Sequence, residues 1–286
     1  MQRSAYAPWI WLFPAGALLL PFFLLPLAIV VRNSVYFDDP QGLTVPAFTT
    51  ANYLKVLTDP YYVKVLSNTL LVAAISTVVS LLVAFPFAQF VVRTSDSARN
   101  LLLWCVYVPL YVSVIMRAFG WTIILADSGL INHLLLRLGL IDAPLRMLFE
   151  AEGMMVGMIH RYLPLMIIPL ITALQKIDGN LLKASGNLGA SGARTFLRVT
   201  LPMSVPGMVA GGQLVFAGVL SDYAMPALMG STKFQLIAPA IYYEAITNSS
   251  WALAGAMATV VLGLVASFLI AANLLLKRLA PWALTL

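Results

Sequence analysis

The stretch LLKASGNLGASGARTFLRVTLP, residues 181–202, lies between two long apolar runs. It contains three glycines, two arginines and a lysine, and it ends on Leu-Pro. The preceding Asp178-Gly179-Asn180 has the residue types that cap and start a helix. The pattern predicts a short helix that begins near Asn180 and stops at Gly189, because helix ends often need a positive φ. Ser191 can cap a second short helix.

Both predicted helices have an apolar face. In the first, Leu181, Ala184 and Leu188 share one face at i, i+3 and i+7. In the second, Phe196 and Val199 are apolar, while the arginines lie on the polar face. The next apolar run begins directly after this segment. Two short helices held at a fixed angle would form a rigid unit that can transmit force.

The composition identifies the class of protein. Of the 286 residues, 61% are hydrophobic and only 10% are charged, whereas soluble domains contain about 25% charged residues. Lipid offers no partner for backbone N–H and C=O groups, so spans must be helical. We therefore predict an all-α integral membrane protein of one domain, residues 1–286, with the segment 178–200 between its fourth and fifth spans. Its six transmembrane helices are predicted at about 9–31, 65–92, 100–126, 153–175, 203–229 and 251–276.

Three predicted spans each contain one charged residue, namely Arg117, Arg161 and Asp222. Inserting each of these charged side chains at the centre of a membrane helix costs about 2.5–3.5 kcal/mol. At about 1.5 Å per residue, the two arginines lie roughly 12 Å from the outer ends of their spans, and Asp222 roughly 9 Å. Similar depths on three helices predict a shared buried network, which is either a structural pairing or part of a solute gate.

The distribution of basic residues predicts the orientation. Cytoplasmic loops collect Lys and Arg, so the net charge of +6 is a topology signal and not a nucleic-acid footprint. With six spans both termini lie on one side, and that side carries nine basic residues against six in the opposite loops. The nine are Arg3, Arg93, Arg99, Lys176, Lys183, Arg194, Arg198, Lys277 and Arg278. Both termini are therefore predicted to be cytoplasmic.

Several enzymatic and metal-binding classes have no support in the sequence. Cys105 is the single cysteine, and His133 and His160 are isolated from any metal-ligand pattern. The sequence contains no Walker A loop and no H-E-x-x-H or G-x-S-x-G motif. An ion-coupled secondary transporter is one class of protein that could use charged residues within the membrane. Such a transporter would not need a rigid cytoplasmic unit.

At residues 183–202 the sequence resembles the permease subunits of bacterial ABC importers. Their pattern is E-A-A, three residues, G, nine residues and I-x-L-P. This chain has Lys183-Ala184-Ser185, then Gly189, then Val199-Thr200-Leu201-Pro202, with the spacing kept throughout. The flanking 188–191, 194–196 and 206–207, and the later 226–230, are also similar. The resemblance covers roughly residues 65–276 and is closest to the spermidine/putrescine-type permeases.

The resemblance implies a bacterial inner-membrane permease that pairs with a second permease, two cytoplasmic ATPase chains and a periplasmic or external solute-binding protein. ATP and Mg²⁺ would bind to the ATPases, so this chain is expected to hold no cofactor or metal and to contact solute and lipid but no nucleic acid. In such permeases the motif forms the coupling helix that docks in the ATPase, so the resemblance implies that residues 178–200 are a coupling segment. The resemblance implies that the residues matching this motif, together with their neighbours, couple the permease to the ATPase. They are Lys183, Ala184, Ser185, Leu188, Gly189, Arg194, Phe196, Leu201 and Pro202.

Two positions depart from the family pattern. Lys183 stands where the family has glutamate, and Ser185 stands where it has alanine. The glutamate's contact with the ATPase therefore does not carry over to this chain. The resemblance favours a polyamine as the solute, with phosphonates or amino-acid derivatives as the alternative.

Overall fold

The computed structural model describes residues 7–39 and 44–279. Arg3, which contributes to the orientation argument, lies outside the described residues, as do the first and last residues of the predicted domain. The described residues form α-helices, two π-helical segments and one antiparallel pair of two-residue strands. The strands are β1 (Phe37–Asp38) and β2 (Thr44–Val45), in which Phe37 is opposite Val45.

Most connections between the helices are short, and the two long ones precede α2 and α7. The first six are α1 (Ala7–Ser34), α2 (Ala51–Thr58), α3 (Pro60–Arg93), α4 (Asp96–Tyr111), α5 (Val114–Leu125) and α6 (Leu130–Arg137). They are followed by α7 (Ala151–Gln175), α8 (Gly179–Asn187), α9 (Gly192–Thr195), π1 (Phe196–Thr200) and α10 (Leu201–Ser221). The last are α11 (Ala224–Met229), α12 (Ile237–Tyr242), π2 (Tyr243–Thr247) and α13 (Trp251–Leu279).

Six helical stretches among the described residues are long and apolar enough to cross a membrane. This confirms the predicted fold class, an all-α protein with six membrane-spanning helices. The stretches are Gly16–Ser34, Pro60–Arg93, Val114–Arg137, Ala151–Gln175, Gly192–Ser221 and Trp251–Arg278.

The third predicted span, 100–126, is not one continuous helix. It is divided into α4 and α5 by two extended residues, Val112 and Ser113. Pro109 lies in the last turn of α4. Proline has no backbone N–H to donate and its ring crowds the preceding turn, which weakens the helix at this position.

The fifth predicted span, 203–229, is also interrupted. Helix α10 ends at Ser221, Asp222 is extended, and the short α11 follows. One carboxylate oxygen of Asp222 accepts the backbone N–H groups of Ala224 (3.0 Å) and Met225 (3.4 Å). The side chain therefore satisfies donors at the start of α11, which favours a new helix over continuation of the old one.

The chain divides into two compact units. The first comprises the described residues up to Val63 together with Ala240–Leu262. Within it, the Asp38 carboxylate accepts the N–H of Ala252 (3.0 Å) at the start of α13. Tyr62 donates to the buried carboxylate of Glu244 (2.7 Å), and this carboxylate also accepts from Asn248 (2.9 Å). These polar contacts fix the turns of the first unit.

The second unit comprises Lys64–Pro239 together with the described residues from Gly263. Its core is the contact between α7 and α10, where glycines allow a close approach. A Cβ added to Gly207 would lie 2.6 Å from the Ala173 Cβ, and one added to Gly218 would lie 2.4 Å from the Tyr162 ring. Small residues at such positions let membrane helices pack tightly. This close packing fixes α10 against α7.

Candidate coupling segment and intramembrane charges

Helix α8 begins where the sequence predicts. The side chain of Asp178 accepts the N–H of Asn180 (2.8 Å) and so caps the first turn. An N-cap aspartate satisfies one donor that the helix cannot satisfy itself, and its charge interacts favourably with the helix dipole. Local sequence alone therefore determines the start of the coupling segment.

Helix α8 ends at the turn that contains Gly189. Gly189 has a φ of +77°, which confirms the predicted left-handed conformation. Its N–H donates to the Gly186 carbonyl (2.9 Å), and the N–H of Ala190 donates to the Ser185 carbonyl (3.1 Å). These two hydrogen bonds form a Schellman motif. The turn is therefore fully hydrogen-bonded and reverses the chain in a defined direction.

Side-chain contacts join the segment's two helices and attach it to the rest of the unit. The hydroxyls of Ser185 on α8 and Thr195 on α9 are 2.9 Å apart. The Phe196 ring packs edge-on against Phe85 of α3, with 5.7 Å between centroids. Ser185 is one of the two departures from the family pattern, and alanine at that position could not form this hydrogen bond. Sequence reasoning did not find the Ser185–Thr195 contact, because it depends on the turn between the helices.

The second helix of the segment is not separate from the fifth span. Ser191 caps α9 as predicted, accepting the N–H of Arg194 (3.4 Å), but α9 continues through π1 directly into α10. Pro202 is the second residue of α10, and the helical backbone runs through it without interruption. The wider turn of π1, in which the N–H of Leu201 donates to the Phe196 carbonyl, makes room for the proline ring.

The predicted coupling residues divide by exposure. Lys183, Ala184, Gly189 and Arg194 are exposed, and Leu188 is 88% exposed at the end of α8. Ser185, Phe196 and Leu201 are half-buried, and Pro202 is exposed.

Two of the three intramembrane charges form an ion pair. Nη1 of Arg161 lies 3.2 Å from Oδ1 of Asp222. The side chain of Asp222 is 1% exposed and that of Arg161 is 27% exposed. The Arg161 guanidinium also lies over the Tyr162 ring, 5.3 Å from its centroid. A buried carboxylate is therefore held by one arginine and by backbone donors.

Arg117 contacts the helix break and not Asp222. Its Nη2 donates to the carbonyls of Pro109 and Val112. Those carbonyls are at the C-terminal end of α4, where a cation also interacts favourably with the helix dipole. The three predicted residues thus form two separate sets of contacts. Arg161 and Asp222 form an ion pair, whereas Arg117 donates hydrogen bonds to backbone carbonyls at the break between α4 and α5.

The two histidines and the cysteine form no metal site. Trp121 Nε1 donates to His160 Nδ1 (3.2 Å), and Cys105 is an exposed free thiol. Within residues 7–39 and 44–279, no three His, Cys, Asp or Glu side chains are close enough to share an ion.

Comparison with known proteins identifies the family. The family described as binding-protein-dependent transport system inner membrane component matches residues 76–281. The chain belongs to this family. It is therefore a multi-pass inner-membrane permease of an ABC importer, a transport component and not an enzyme.

Two curated relatives cover most of this permease. The spermidine/putrescine transport system permease protein PotB of Escherichia coli is 34% identical over 249 residues, 86% of this chain and 90% of the relative. The inner membrane ABC transporter permease protein YdcU of the same organism is 31% identical over 257 residues, 85% of this chain and 81% of the relative.

Solved structures show the same fold. A chain of a bacterial ABC transporter that imports the acidic polysaccharide alginate superposes with a TM-score of 0.77, covering 96% of each chain at 17% identity. A second structure, of a bacterial alginate ABC transporter with its pentasaccharide-bound periplasmic protein, gives 0.73 over 96% of this permease and 93% of that chain, also at 17% identity.

Proposed function

We propose that this permease carries a polyamine such as spermidine or putrescine into the cell. The observation that carries the proposal is the similarity to PotB, which extends over 86% of the chain at 34% identity. The intramembrane charges Arg117, Arg161 and Asp222 sum to +1 and do not by themselves favour a polycation. The preference for polyamines therefore rests on the relatives, and an external binding protein would make most of the selection.

The proposed assembly contains a second permease, two cytoplasmic ATPases that bind ATP and Mg²⁺, and a solute-binding protein on the outer side. The geometry of residues 178–202 supports this arrangement. Exposed Lys183, Ala184 and Leu188 offer a contact surface, while the hydrogen-bonded turn at Gly189 keeps that surface in one orientation. ATP binding would bring the ATPases together and displace the segment, and the cavity would then open to the outer side.

The proposed orientation has both termini in the cytoplasm. It rests on the excess of Lys and Arg on the side that carries residues 178–200. Exposed Lys183 and Arg194 lie on that side, where a cytoplasmic ATPase could reach them.

Uptake measurements test the proposed solute. The permease, expressed with its own partner chains in cells that lack polyamine import, should accumulate radiolabelled spermidine or putrescine. Unlabelled polyamine should compete, and 2-aminoethylphosphonate or amino acids should not. A strain with the ATPase chain deleted is the control. Uptake of a phosphonate or an amino-acid derivative, with no polyamine uptake, would contradict the proposal.

A further inference from the structure

Helix α6 lies in the connection between α5 and α7, at the end of α7 opposite the coupling segment. A buried asparagine attaches one side of it to the protein. Asn132 is fully buried, and its Nδ2 donates to the carbonyls of Ala126 (3.2 Å) and Leu145 (3.0 Å). Its Oδ1 accepts the N–H of Leu145 (2.8 Å). These three hydrogen bonds determine which half of α6 points away from the protein.

Helix α6 lies at the depth where α5 and α7 reach the surface of the membrane. Helix α7 is one of the six stretches that can cross it, and a Cβ added to Gly153 in its first turn would lie 3.3 Å from Leu125, the last residue of α5. Only residues 126–129 separate α5 from α6, and Ala126 accepts a hydrogen bond from Asn132. This short, bonded connection holds α6 in the zone where lipid meets water.

The outward half of α6 is itself amphipathic. Leu130, Leu134 and Leu138 follow one another at four-residue spacing, and they are 58%, 50% and 70% exposed. We call these three residues the leucine stripe. His133 and Arg137 are also exposed and form a second, polar stripe beside it, because they have the same four-residue spacing. An exposed surface that is apolar along one stripe and polar along the next suits a helix lying in the membrane interface.

The leucine stripe continues an apolar surface of α5. Phe119 and Ile123 are exposed on α5, and together with Leu130 and Phe149 they line a groove of about 770 Å³. No charged side chain is among the described residues that line this groove. Lipid that covers the exposed side of α5 therefore also reaches the start of the leucine stripe.

We infer that α6 is an interfacial helix that inserts the leucine stripe into the lipid of one bilayer leaflet. It thereby anchors the connection between α5 and α7 to the membrane surface, with His133 and Arg137 directed to the headgroups and water. Lipid fits this face better than a protein partner does. Three leucine side chains provide far less than the roughly 800 Å² per partner that a stable protein interface buries, and residues 130–138 contain none of the Trp or Tyr residues that dominate such interfaces.

Site-directed spin labelling of the full chain tests the inference. Cys105→Ser removes the single cysteine, and a nitroxide is then attached after Leu134→Cys or Leu138→Cys. His133→Cys and Arg137→Cys are the matched controls on the polar stripe. The protein, with the partner chains that it retains, is reconstituted into vesicles of phosphatidylethanolamine and phosphatidylglycerol. Collisions of each label with oxygen, which concentrates in lipid, and with a water-soluble nickel chelate are measured.

The labels at positions 134 and 138 should collide more often with oxygen than with the nickel chelate, and those at 133 and 137 should show the opposite preference. A preference for the nickel chelate at either leucine position would place the stripe in water and overturn the inference. Infrequent collisions with both reagents at these positions would show that a protein covers the stripe, which would overturn it as well.

A second measurement leaves every leucine in place, so it does not depend on whether the labelled variants fold. The unaltered chain is irradiated in vesicles that contain a phospholipid with a diazirine in its acyl chain. Peptide mass spectrometry should then find lipid adducts within residues 130–138, and their absence would contradict the inference. Neither measurement needs solute or ATP, so a negative result would leave the proposed polyamine transport intact.

Discussion

Arg161 and Asp222 are 61 positions apart in the sequence, yet Nη1 of the arginine lies 3.2 Å from Oδ1 of the aspartate. The same oxygen accepts the N–H of Ala224 at the start of α11. The ion pair therefore joins α7 to the interruption between α10 and α11. A single buried carboxylate thus neutralises one arginine and also caps a helix.

Asp222→Asn should lower the stability of the permease. Asparagine can still accept the backbone N–H groups, but it leaves Arg161 without its counter-ion. Loss of one partner of a fully buried pair costs about 3–5 kcal/mol, and the partial exposure of Arg161 should keep the loss below that range. Thermal unfolding of the detergent-solubilised protein, with expression level and uptake measured in the same cells, checks this prediction.

The second substitution Arg161→Met should recover much of that stability, since the cost lies in the unpaired charge. Arg117→Met in place of Arg161→Met should give no recovery and should add a loss of its own, because Arg117 contacts backbone carbonyls and not Asp222. Normal stability of Asp222→Asn with lost uptake would instead indicate direct contact between Asp222 and the solute. Normal stability together with full uptake would exclude both interpretations.

Arg117→Met alone should destabilise the protein by about 1–3 kcal/mol, the cost of leaving a buried polar group unsatisfied. The carbonyls of Pro109 and Val112 would lose the guanidinium that now binds them, and lipid provides no substitute donor. Arg117→Lys should recover part of the loss. Arg137→Met, at an exposed position, is the control. Equal thermal midpoints for Arg117→Met and Arg137→Met would contradict the capping assignment.

Gly189→Val should abolish transport while the protein remains in the membrane. A β-branched side chain is strained at a φ of +77°, so the turn after α8 should reorganise and move Leu188. Gly186→Ala is the control, because an added Cβ there meets no atom within 4 Å and its helical backbone suits alanine. Uptake and membrane abundance are compared for both variants. Normal uptake by Gly189→Val would refute the coupling function.

The hydrogen bond between Ser185 and Thr195 predicts energetic coupling between the two short helices. In a double-mutant cycle with Ser185→Ala and Thr195→Val, the coupling energy should be about 0.5–1.5 kcal/mol in thermal unfolding. Each single substitution should remove the same interaction, so the double variant should be little worse than either. Strictly additive losses would show that the two hydroxyls do not depend on each other.

Reporter fusions test the orientation. A reporter within residues 96–100 or at Leu286 should be active on the cytoplasmic side, and one near Asp142 on the outer side. The expectation follows from the excess of basic residues on the side of the coupling segment. An external C-terminus would reverse the assignment of every loop.

Features determined by local sequence were predicted well. The Asp178 cap and the positive φ of Gly189 follow from residue types that favour those conformations within a few positions. The six apolar helices likewise follow from run length and hydropathy. These features do not depend on which distant residues pack together.

Features that depend on tertiary contacts could not be predicted in the same way. Depth along the spans placed Arg117 in the same layer as Arg161 and Asp222, but depth does not specify the rotation of each helix or the direction of a side chain. Arg117 instead folds back to its own helix break. Pro109 was the available signal for that break. The sequence predicted a second short helix after Ser191, but not its continuation through π1 into α10.

The unbroken run from Gly192 to Ser221 has 30 residues and therefore extends about 45 Å at 1.5 Å per residue. Arg194 lies near one end of the run, next to the proposed ATPase contact, and the other end is adjacent to Asp222, which pairs with Arg161. The helical backbone continues through π1 and past Pro206, and glycine contacts hold α10 along α7. In the proposed assembly, a displacement of the coupling segment by the ATPases would therefore also move the far end of this helix, where Asp222 pairs with Arg161.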